Sequence, residues 1–282
     1  TLICTIIIGV ISAKNLNDGL EKACKFMMPA LFIMLIAVVI RSVTLPNAIE
    51  GVKWYMNVDF SKINAESILA ALGQCFFSVG IASGGAFVYG SYLNKDSDIP
   101  TDGLMVIGFD TLAALIAGFA IFPAVFALGL QPDSGSNLLF VTMSNVFMNL
   151  PFGRFFGVLF FLLMFFAALS SSLGYLEPVS SSFAELLKID RKKGVIYALT
   201  SIFVVGLLTI FGQNILKSVT IMDKNLFDFA DFLSGNILMP LGAIALILYT
   251  LFRWKFDVFR EDVNNGANSI KVPKFMKYVS YV

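Results

Sequence analysis

Histidine is absent from this chain of 282 residues, and charged residues are scarce. Without an imidazole, the chain lacks the side chain that enzymes use most often as a general base. Charged residues make up 14% of the chain, whereas a soluble domain carries about 25%. The net charge of +1 argues against a nucleic-acid-binding surface. The composition therefore disfavours a soluble enzyme and predicts no nucleic-acid partner.

Cysteine is also rare, and its placement excludes a disulfide framework. Cys4, Cys24 and Cys75 are odd in number and lie in or beside apolar runs. No Cys-x-x-Cys pair is present to ligate a metal. The three cysteines are predicted to be free thiols.

The chain is rich in apolar residues. Hydrophobic residues make up 57%, 29 residues are phenylalanine, and the mean hydropathy is +0.83. These values predict an all-α integral membrane protein. The first apolar run, Thr1–Ile11, is shorter than the roughly 20 residues that a spanning helix needs, and it lacks the basic flank of a signal peptide. Because Tyr278–Val282 also has the character of a helix start, the chain is expected to be a fragment of a larger protein.

The apolar runs divide the chain into predicted helices and polar connections. The predicted helices occupy residues 1–11 (the end of one helix), 19–43, 65–93 (broken), 103–130, 155–187, 194–211, 225–256 and 273–282 (the start of another). The predicted connections include 44–62, a long loop at 131–154 with a re-entrant or surface helix at 137–148, 212–224 and a polar stretch at 259–274. Fourteen of the twenty basic residues fall in one set of alternate connections, which the positive-inside rule assigns to the cytoplasm.

The stretch Gly73–Tyr92 (GQCFFSVGIASGGAFVYGSY) predicts a helix that is broken midway. Gly80, Gly84 and Gly85 fall within six residues, and each costs a helix interior about 1 kcal/mol relative to alanine. An opened backbone at membrane depth is tolerated only where protein or water satisfies its polar groups. The break is therefore a candidate site at which helix ends bind ions and substrate. The alternative is a buried helix with a glycine kink.

Asp110 is a lone carboxylate within an apolar run. Placing it charged at the centre of a membrane costs about 2.5–3.5 kcal/mol by insertion scales. Such an acid usually faces an ion, a proton path or a polar pocket, and the alternative is an acid near a helix end that reaches water.

Three consecutive hydroxyls, Ser170, Ser171 and Ser172, interrupt a helix built of Phe, Leu and Met. Hydroxyl and carbonyl oxygens suit hard cations, so these serines are candidate sodium ligands. The alternative is close helix packing on small residues. Glu177, followed by Pro178, is a second acid in the apolar run and is interpreted as structural.

Five segments in order resemble the neurotransmitter:sodium symporter family of prokaryotic type. They are GLEKACKFMMPALFI at 19–33, GQCFF…YGSYLNKDSDI at 73–99, AGFAIFPAVFALG at 117–129, FFAALSSSLGYLEP at 165–178 and DFLSGNILMPLG at 231–242. The resemblance implies a LeuT-type inverted-repeat helix bundle, present here from the end of transmembrane helix 4 to the start of helix 11, with helix 6 broken. Helices 1–3 would be missing, and with them about half of each of two sodium sites.

The resemblance also implies roles for individual residues. The first sodium site would use Ser78 and Asp110, and the second would use the Ala167 carbonyl with Ser170 and Ser171. The substrate pocket would be lined by Phe77, Ser78, Gly80, Ser83, Ser171 and Tyr175. Gating residues would be Tyr92 and Glu185 on the inner side and Asp231 on the outer side.

Two departures from the family pattern bear on function. Asp110 places a fixed negative charge where chloride-dependent members have a neutral side chain and a bound anion, which predicts chloride independence. Gly80 and Ser83 replace a hydroxyl residue and a bulky wall residue of the family's unwound segment. The shape of the pocket therefore does not follow from the family.

The leading interpretation is a sodium-coupled symporter, not an enzyme, that moves an amino acid or related small zwitterion by alternating access. It implies Na⁺ as the bound ion, no organic cofactor, an amino-acid-like substrate and the lipid bilayer as partners, and no predicted oligomeric state. The expected location is the inner (plasma) membrane of a prokaryote, crossed several times. The fragment alone is expected to be inactive.

Two alternatives from other classes stay open at this point. The same fold could serve a substrate sensor or scaffold that does not transport. An intramembrane hydrolase could use a serine among Ser170–Ser172, but a nucleophilic serine needs an adjacent base, and this chain contains no His. A plain channel is disfavoured because no symmetric pore motif is present.

Overall fold

The structure, a computed structural model, describes residues 2–14, 17–80, 84–130, 132 and 137–280. The α-helices among them are α1 (Leu2–Ser12), α2 (Lys22–Val43), α3 (Ala48–Met56), α4 (Ala65–Val79), α5 (Gly85–Ser91), α6 (Ile99–Ala127), α7 (Met143–Asn149), α8 (Gly153–Leu187), α9 (Arg191–Gly212), α10 (Leu226–Phe232), α11 (Met239–Leu248), α12 (Phe256–Asn265) and α13 (Met276–Val279). Turns of π-helix occupy Asn17–Glu21, Asn137–Thr142, Leu233–Leu238 and Tyr249–Lys255, and a 3₁₀ turn occupies Phe60–Lys62.

Five helical stretches in the described residues are long and apolar enough to cross a membrane. They are Gly19–Val43, Ile99–Ala127, Gly153–Leu187, Arg191–Gly212 and Leu226–Asn265. The prediction of a helical, multi-pass membrane protein is confirmed.

The chain forms two compact units. Unit 1 comprises Thr1–Lys62 and Thr111–Gly174, and unit 2 comprises Ile63–Asp110 and Tyr175–Val282. The long helices α6 and α8 each contribute residues to both units.

The core of unit 1 lies among α2, α3, α7 and the parts of α6 and α8 that belong to this unit. Val38, Val125, Met143 and Val146 are almost completely buried there. The predicted re-entrant or surface helix at 137–148 is present as the π turn at Asn137–Thr142 followed by α7. α7 packs against the protein through Met143 and Val146, whereas Met148 on the same helix is 75% exposed.

The stretch 44–62, predicted to be a polar connection, contains the helix α3. This helix packs tightly on α6, where an added Cβ at Gly51 would lie 2.6 Å from the Phe122 carbonyl oxygen. The Trp54 and Tyr55 rings lie 4.9 and 5.1 Å from the Phe122 ring. Aromatic burial against α6, rather than intrinsic helix propensity, stabilises this short amphipathic helix.

Unit 2 contains α4, α5, the first turns of α6 and the chain from Tyr175 onward. Asp98 starts α6 four residues before the predicted position, since its side chain accepts a hydrogen bond from the Thr101 amide and Pro100 suits a helix start. The connection at 212–224 ends in a small antiparallel hairpin that the sequence did not predict. Its strands β1 (Thr220–Ile221) and β2 (Lys224–Asn225) pair Thr220 with Asn225 and Ile221 with Lys224.

The predicted span 225–256 is continuous through α10, a π turn and α11. The helix absorbs Gly235 in the π turn Leu233–Leu238. The stretch 259–274, predicted to be a polar connection, begins with most of α12 instead. Phe256, Phe259 and Val263 repeat at helical spacing, and this apolar face explains the helix.

Candidate functional site

The predicted break in the helix is present between α4 and α5. Gly80 follows the last residue of α4 with φ of 68°, and Gly84 precedes α5 with φ of 75°. Both values lie in the left-handed region that glycine adopts without steric cost. The residues between them, including the predicted pocket residue Ser83, lie outside the described part of the chain. The glycines thus end one helix and begin another within a few residues.

Ser78 and Asp110 meet beside this break, both in unit 2. The Ser78 hydroxyl, in the last turn of α4, lies 2.8 and 2.7 Å from the two carboxylate oxygens of Asp110 in α6. Asp110 forms no salt bridge with any described Lys or Arg. Three oxygen atoms carrying one negative charge therefore converge at this point. Such a set of hard oxygen ligands matches what a small monovalent cation needs.

Tyr175 contacts the same end of α4. Its hydroxyl donates a hydrogen bond of 3.2 Å to the Phe77 carbonyl oxygen. The last carbonyls of a helix have no donor within the helix, so at a helix break they need hydrogen-bond donors from other parts of the protein. Tyr175 therefore fixes the end of α4 to α8. The sequence predicted Tyr175 only as a wall of the pocket, and this second contact was missed.

The serines Ser170, Ser171 and Ser172 of α8 lie in unit 1. The Ser170 hydroxyl is buried and donates a hydrogen bond of 3.0 Å to the Ala167 carbonyl oxygen, so two of the three predicted ligands touch each other. Ser172 donates to the Ala168 carbonyl oxygen at 2.7 Å. The Ser171 side chain is exposed. Serines in helices often donate a hydrogen bond to a carbonyl oxygen of the preceding turn. The lone pairs of each hydroxyl oxygen then stay available to accept a hydrogen bond or bind an ion.

A buried ion pair in unit 2 involves residues of three elements. Glu177, in α8, is 2% exposed and binds both terminal nitrogens of Arg191, with a distance of 2.7 Å between Nη2 and Oε2. The Tyr92 hydroxyl, just after α5, donates to Glu177 Oε1 at 3.1 Å. The bidentate arginine and the tyrosine together satisfy the buried carboxylate.

Tyr92 and Glu185 are the two predicted inner gating residues. Tyr92 contacts Glu177, and Glu185 is exposed at the end of α8. The sequence missed Arg191 as the partner of Glu177, although a carboxylate within an apolar helix signals a need for a nearby cation. Asp231, the predicted outer gate acid, lies in α10 with an exposed side chain.

A cluster of three or more Cys, Asp or Glu side chains that could bind a metal is not found within the described ranges. Transition metals and structural zinc usually need such clusters. The candidate at Ser78 and Asp110 has a single carboxylate and a hydroxyl, which suits an ion of lower charge.

Comparison with known proteins gives a consistent result. The sodium:neurotransmitter symporter family matches residues 1–281. An uncharacterized sodium-dependent transporter of Haemophilus influenzae is 37% identical over 287 residues, covering 100% of this chain and 62% of that protein. The uncharacterized sodium-dependent transporter YhdH of Bacillus subtilis is 37% identical over 265 residues, covering 93% and 58%. The chain thus spans about three fifths of the length of these curated relatives.

The structure resembles the crystal structure of MhsT in complex with L-phenylalanine. The TM-score is 0.86 at 32% sequence identity, covering 99% of this chain and 65% of that chain. The predicted LeuT-type helix bundle is therefore confirmed. Since the family match extends over nearly all of the sequence, the chain belongs to the sodium:neurotransmitter symporter family.

Proposed function

We propose that the complete protein is a sodium-coupled symporter that carries an amino acid or a related small zwitterion across the plasma membrane of a prokaryote. The 282 residues of this chain would supply transmembrane helices 5–10, with the end of helix 4 and the start of helix 11. Because the complete protein would be longer, transport is assigned to it and not to this segment alone.

One observation carries the proposal: the oxygens of Ser78 and Asp110 converge at the end of a helix broken by Gly80 and Gly84. A sodium ion there would take over from the Ser78 O–H group as the partner of the Asp110 carboxylate. The hydroxyl would turn its lone pairs to the ion, and further oxygens would come from the missing helices. A broken helix can offer backbone carbonyls to an ion without an additional charge.

A second sodium ion would be bound on α8 by the Ala167 carbonyl with Ser170 and Ser171. Ser170 already lies at hydrogen-bond distance from that carbonyl, so a small rotation of its hydroxyl would turn both oxygens toward a common ligand. The substrate would contact Phe77, Ser78, Gly80, Ser83, Ser171 and Tyr175. L-phenylalanine in the MhsT complex supports an amino acid as the substrate class.

Gating would involve acids at both ends of the pathway. Tyr92 would act with Glu177 and Arg191 on the inner side, because this ion pair ties the chain after α5 to α8 and α9. Glu185 and Asp231 are exposed and form no salt bridge with any described residue. They would pair with arginines of the first transmembrane helix in the complete protein. Sodium and substrate would be coupled because both favour the same closed state.

Transport would be independent of chloride. Asp110 supplies, as part of the protein, the negative charge that a bound anion supplies in chloride-dependent members. Its carboxylate is held by the Ser78 hydroxyl and is not neutralised by a basic side chain in the described residues.

The test is uptake of a panel of radiolabelled amino acids by the full-length protein in proteoliposomes. An inward sodium gradient should drive accumulation of at least one amino acid, and an equal potassium gradient should not. Replacing chloride by gluconate should leave the initial rate unchanged.

Three results would argue against the proposal in different ways. Sodium-dependent binding without accumulation would favour a sensor of the same fold. Accumulation in potassium would exclude sodium coupling, and a large loss of uptake in gluconate would exclude chloride independence.

A further inference from the structure

An apolar groove lies in unit 2 where the helical stretch that begins at Leu226 is interrupted at Lys255. Its volume is about 470 Å³. It is lined by Leu246, Ile247, Thr250, Leu251, Phe256, Phe259, Val272, Met276, Val279 and Ser280. These residues come from α11 and the π turn that follows it, from α12, and from the chain that leads into α13. The only polar side chains in this set are two hydroxyls.

The groove is located at one end of a membrane span rather than at its middle. The span from Leu226 continues into the π turn Tyr249–Lys255, and a φ of 68° at Lys255 interrupts the helix before α12. Aromatic side chains surround this end: Tyr249 is 51% exposed and Tyr278 is 75% exposed. Such residues favour the boundary between hydrocarbon and water. An apolar groove at that depth faces the region of a lipid molecule where acyl chains meet the headgroup.

Basic residues are placed next to the residues that line the groove. Lys255 directly precedes Phe256, Lys271 directly precedes Val272, and Lys277 directly follows Met276. The whole segment from Thr250 to Ser280 contains six basic residues and three acids. The basic residues are Arg253, Lys255, Arg260, Lys271, Lys274 and Lys277.

The acids of this segment balance half of its positive charge, and few of its basic side chains form ion pairs. Of the three acids, Asp257 binds Lys277 at 3.3 Å and Asp262 accepts a hydrogen bond from Trp254. The other five basic side chains form no salt bridge with any residue that the structure describes. The Nε of Arg260, which follows the groove residue Phe259, is buried with no hydrogen-bond acceptor among the described atoms.

We propose that this groove binds one anionic phospholipid, whose acyl chain lies on the apolar lining and whose headgroup phosphate is bound by the surrounding Lys and Arg side chains. Clusters of basic residues just outside a membrane span attract anionic lipids, with each engaged residue adding to the binding free energy. Charge complementarity distinguishes this occupant from a zwitterionic lipid. The inference concerns a binding site and does not depend on whether the protein transports.

Trp254 gives a direct probe of the groove, because its ring packs against Phe259 with centroids 5.3 Å apart. The experiment uses the full-length protein with Trp254 as its only tryptophan, reconstituted in phosphatidylcholine vesicles. Brominated phosphatidylglycerol or brominated phosphatidylcholine is added, and quenching of the tryptophan is measured. Quenching should show a preference for phosphatidylglycerol of at least about fivefold, equivalent to one engaged basic residue. A protein with Trp54 as its only tryptophan, in α3, should show no such preference.

Two charge variants separate a specific site from general attraction to a basic protein. The groove variant combines Arg253→Gln, Lys255→Gln, Lys271→Gln and Lys274→Gln, and should lose the preference. The matched variant removes four basic residues elsewhere on the same predicted side, Lys14→Gln, Lys22→Gln, Lys188→Gln and Lys192→Gln, and should keep it.

Each other outcome overturns the proposal. Equal quenching by both lipids would mean that the groove does not select charge. Loss of the preference in both variants would mean that attraction is not local. The absence of any quenching at Trp254 would mean that another segment of the protein covers the groove.

Discussion

The Ser78 hydroxyl lies within 2.8 Å of both carboxylate oxygens of Asp110, across the gap between the end of α4 and the middle of α6. The contact joins the broken helix to an acid that would otherwise be costly within a membrane. A hydroxyl can donate one hydrogen bond at a time, so this contact relieves only part of the cost. We propose that sodium supplies the remaining positive charge.

Replacing Asp110 by Asn should make transport dependent on chloride or weaken its coupling to sodium. The substitution keeps the size and the oxygen but removes the fixed negative charge, so an anion from solution would have to take its place. The measurement is the initial rate of uptake by the full-length variant in chloride and in gluconate. Asp102→Asn, in the first turn of the same helix, is the matched control and should behave as the wild type. Unchanged uptake by Asp110→Asn in gluconate and at low sodium would contradict the role given to this acid.

Replacing Tyr175 by Phe should lower stability by about 1 kcal/mol, because the Phe77 carbonyl oxygen would lose its partner at the helix end. Thermal unfolding of the purified full-length protein in detergent measures the change. Tyr197→Phe removes a hydroxyl from the exposed face of α9 and should have a much smaller effect. Equal shifts in the two variants would show that the contact with Phe77 does not stabilise the break.

Replacing Glu177 by Gln should destabilise the protein more than any other change in α8 of similar size. Removing one partner of a fully buried ion pair costs about 3–5 kcal/mol, and the cost here should be smaller because the Arg191 side chain is 35% exposed. Thermal unfolding again provides the measurement, with the exposed Glu185→Gln as control. If Glu177→Leu combined with Arg191→Leu were no more stable than Glu177→Gln alone, the loss could not be ascribed to an unpaired charge.

At acidic pH, the start of α6 should detach from the chain that follows α12. Asp98 accepts a hydrogen bond of 3.0 Å from the Asn268 amide, which, with the contacts from Thr101, lowers the pKa of its carboxyl group. Because the folded-state pKa lies below the unfolded one, the stabilisation is complete above the ordinary aspartate pKa. It disappears as the pH falls through the lowered value.

Hydrogen exchange of the Asn268 amide measures this contact. Protection should be retained from pH 7 to about pH 5, above the ordinary range of aspartate. Asp98→Asn should reduce it at neutral pH, and the neighbouring Asp96→Asn should not. Protection that is unaffected by Asp98→Asn would exclude the hydrogen bond as its cause.

Much of the fold could be predicted because membrane helices are marked by long apolar runs. The break was also predictable, since Gly80 and Gly84 adopt the positive φ values that end and begin helices. Helix α3 could not be found in this way. It has only 9 residues, too few to mark a membrane span, and it forms because Trp54 and Tyr55 pack on α6, which only the tertiary structure reveals. The π turns were missed for a similar reason, since no sequence period distinguishes them from α-helix.

The candidate site was predicted unevenly. The residues alone marked Asp110 and the serines of α8, because acids and hydroxyls are conspicuous in apolar helices. The proximity of Ser78 to Asp110, 32 positions apart, came only from the family resemblance. The pairing of Glu177 with Arg191 was missed, because Arg191 falls between the predicted helices 155–187 and 194–211, whereas α9 begins at Arg191.

The most direct test of the central claim is equilibrium binding of radioactive sodium to the purified full-length protein. We expect saturable binding of sodium, with which potassium does not compete. Ser78→Ala should weaken it by about tenfold, the equivalent of one ligand worth about 1.4 kcal/mol, whereas Ser201→Ala, a serine of α9 bonded to its own helix, should leave it unchanged. Sodium binding of wild-type strength in Ser78→Ala, or its absence from the wild-type protein, would contradict the account.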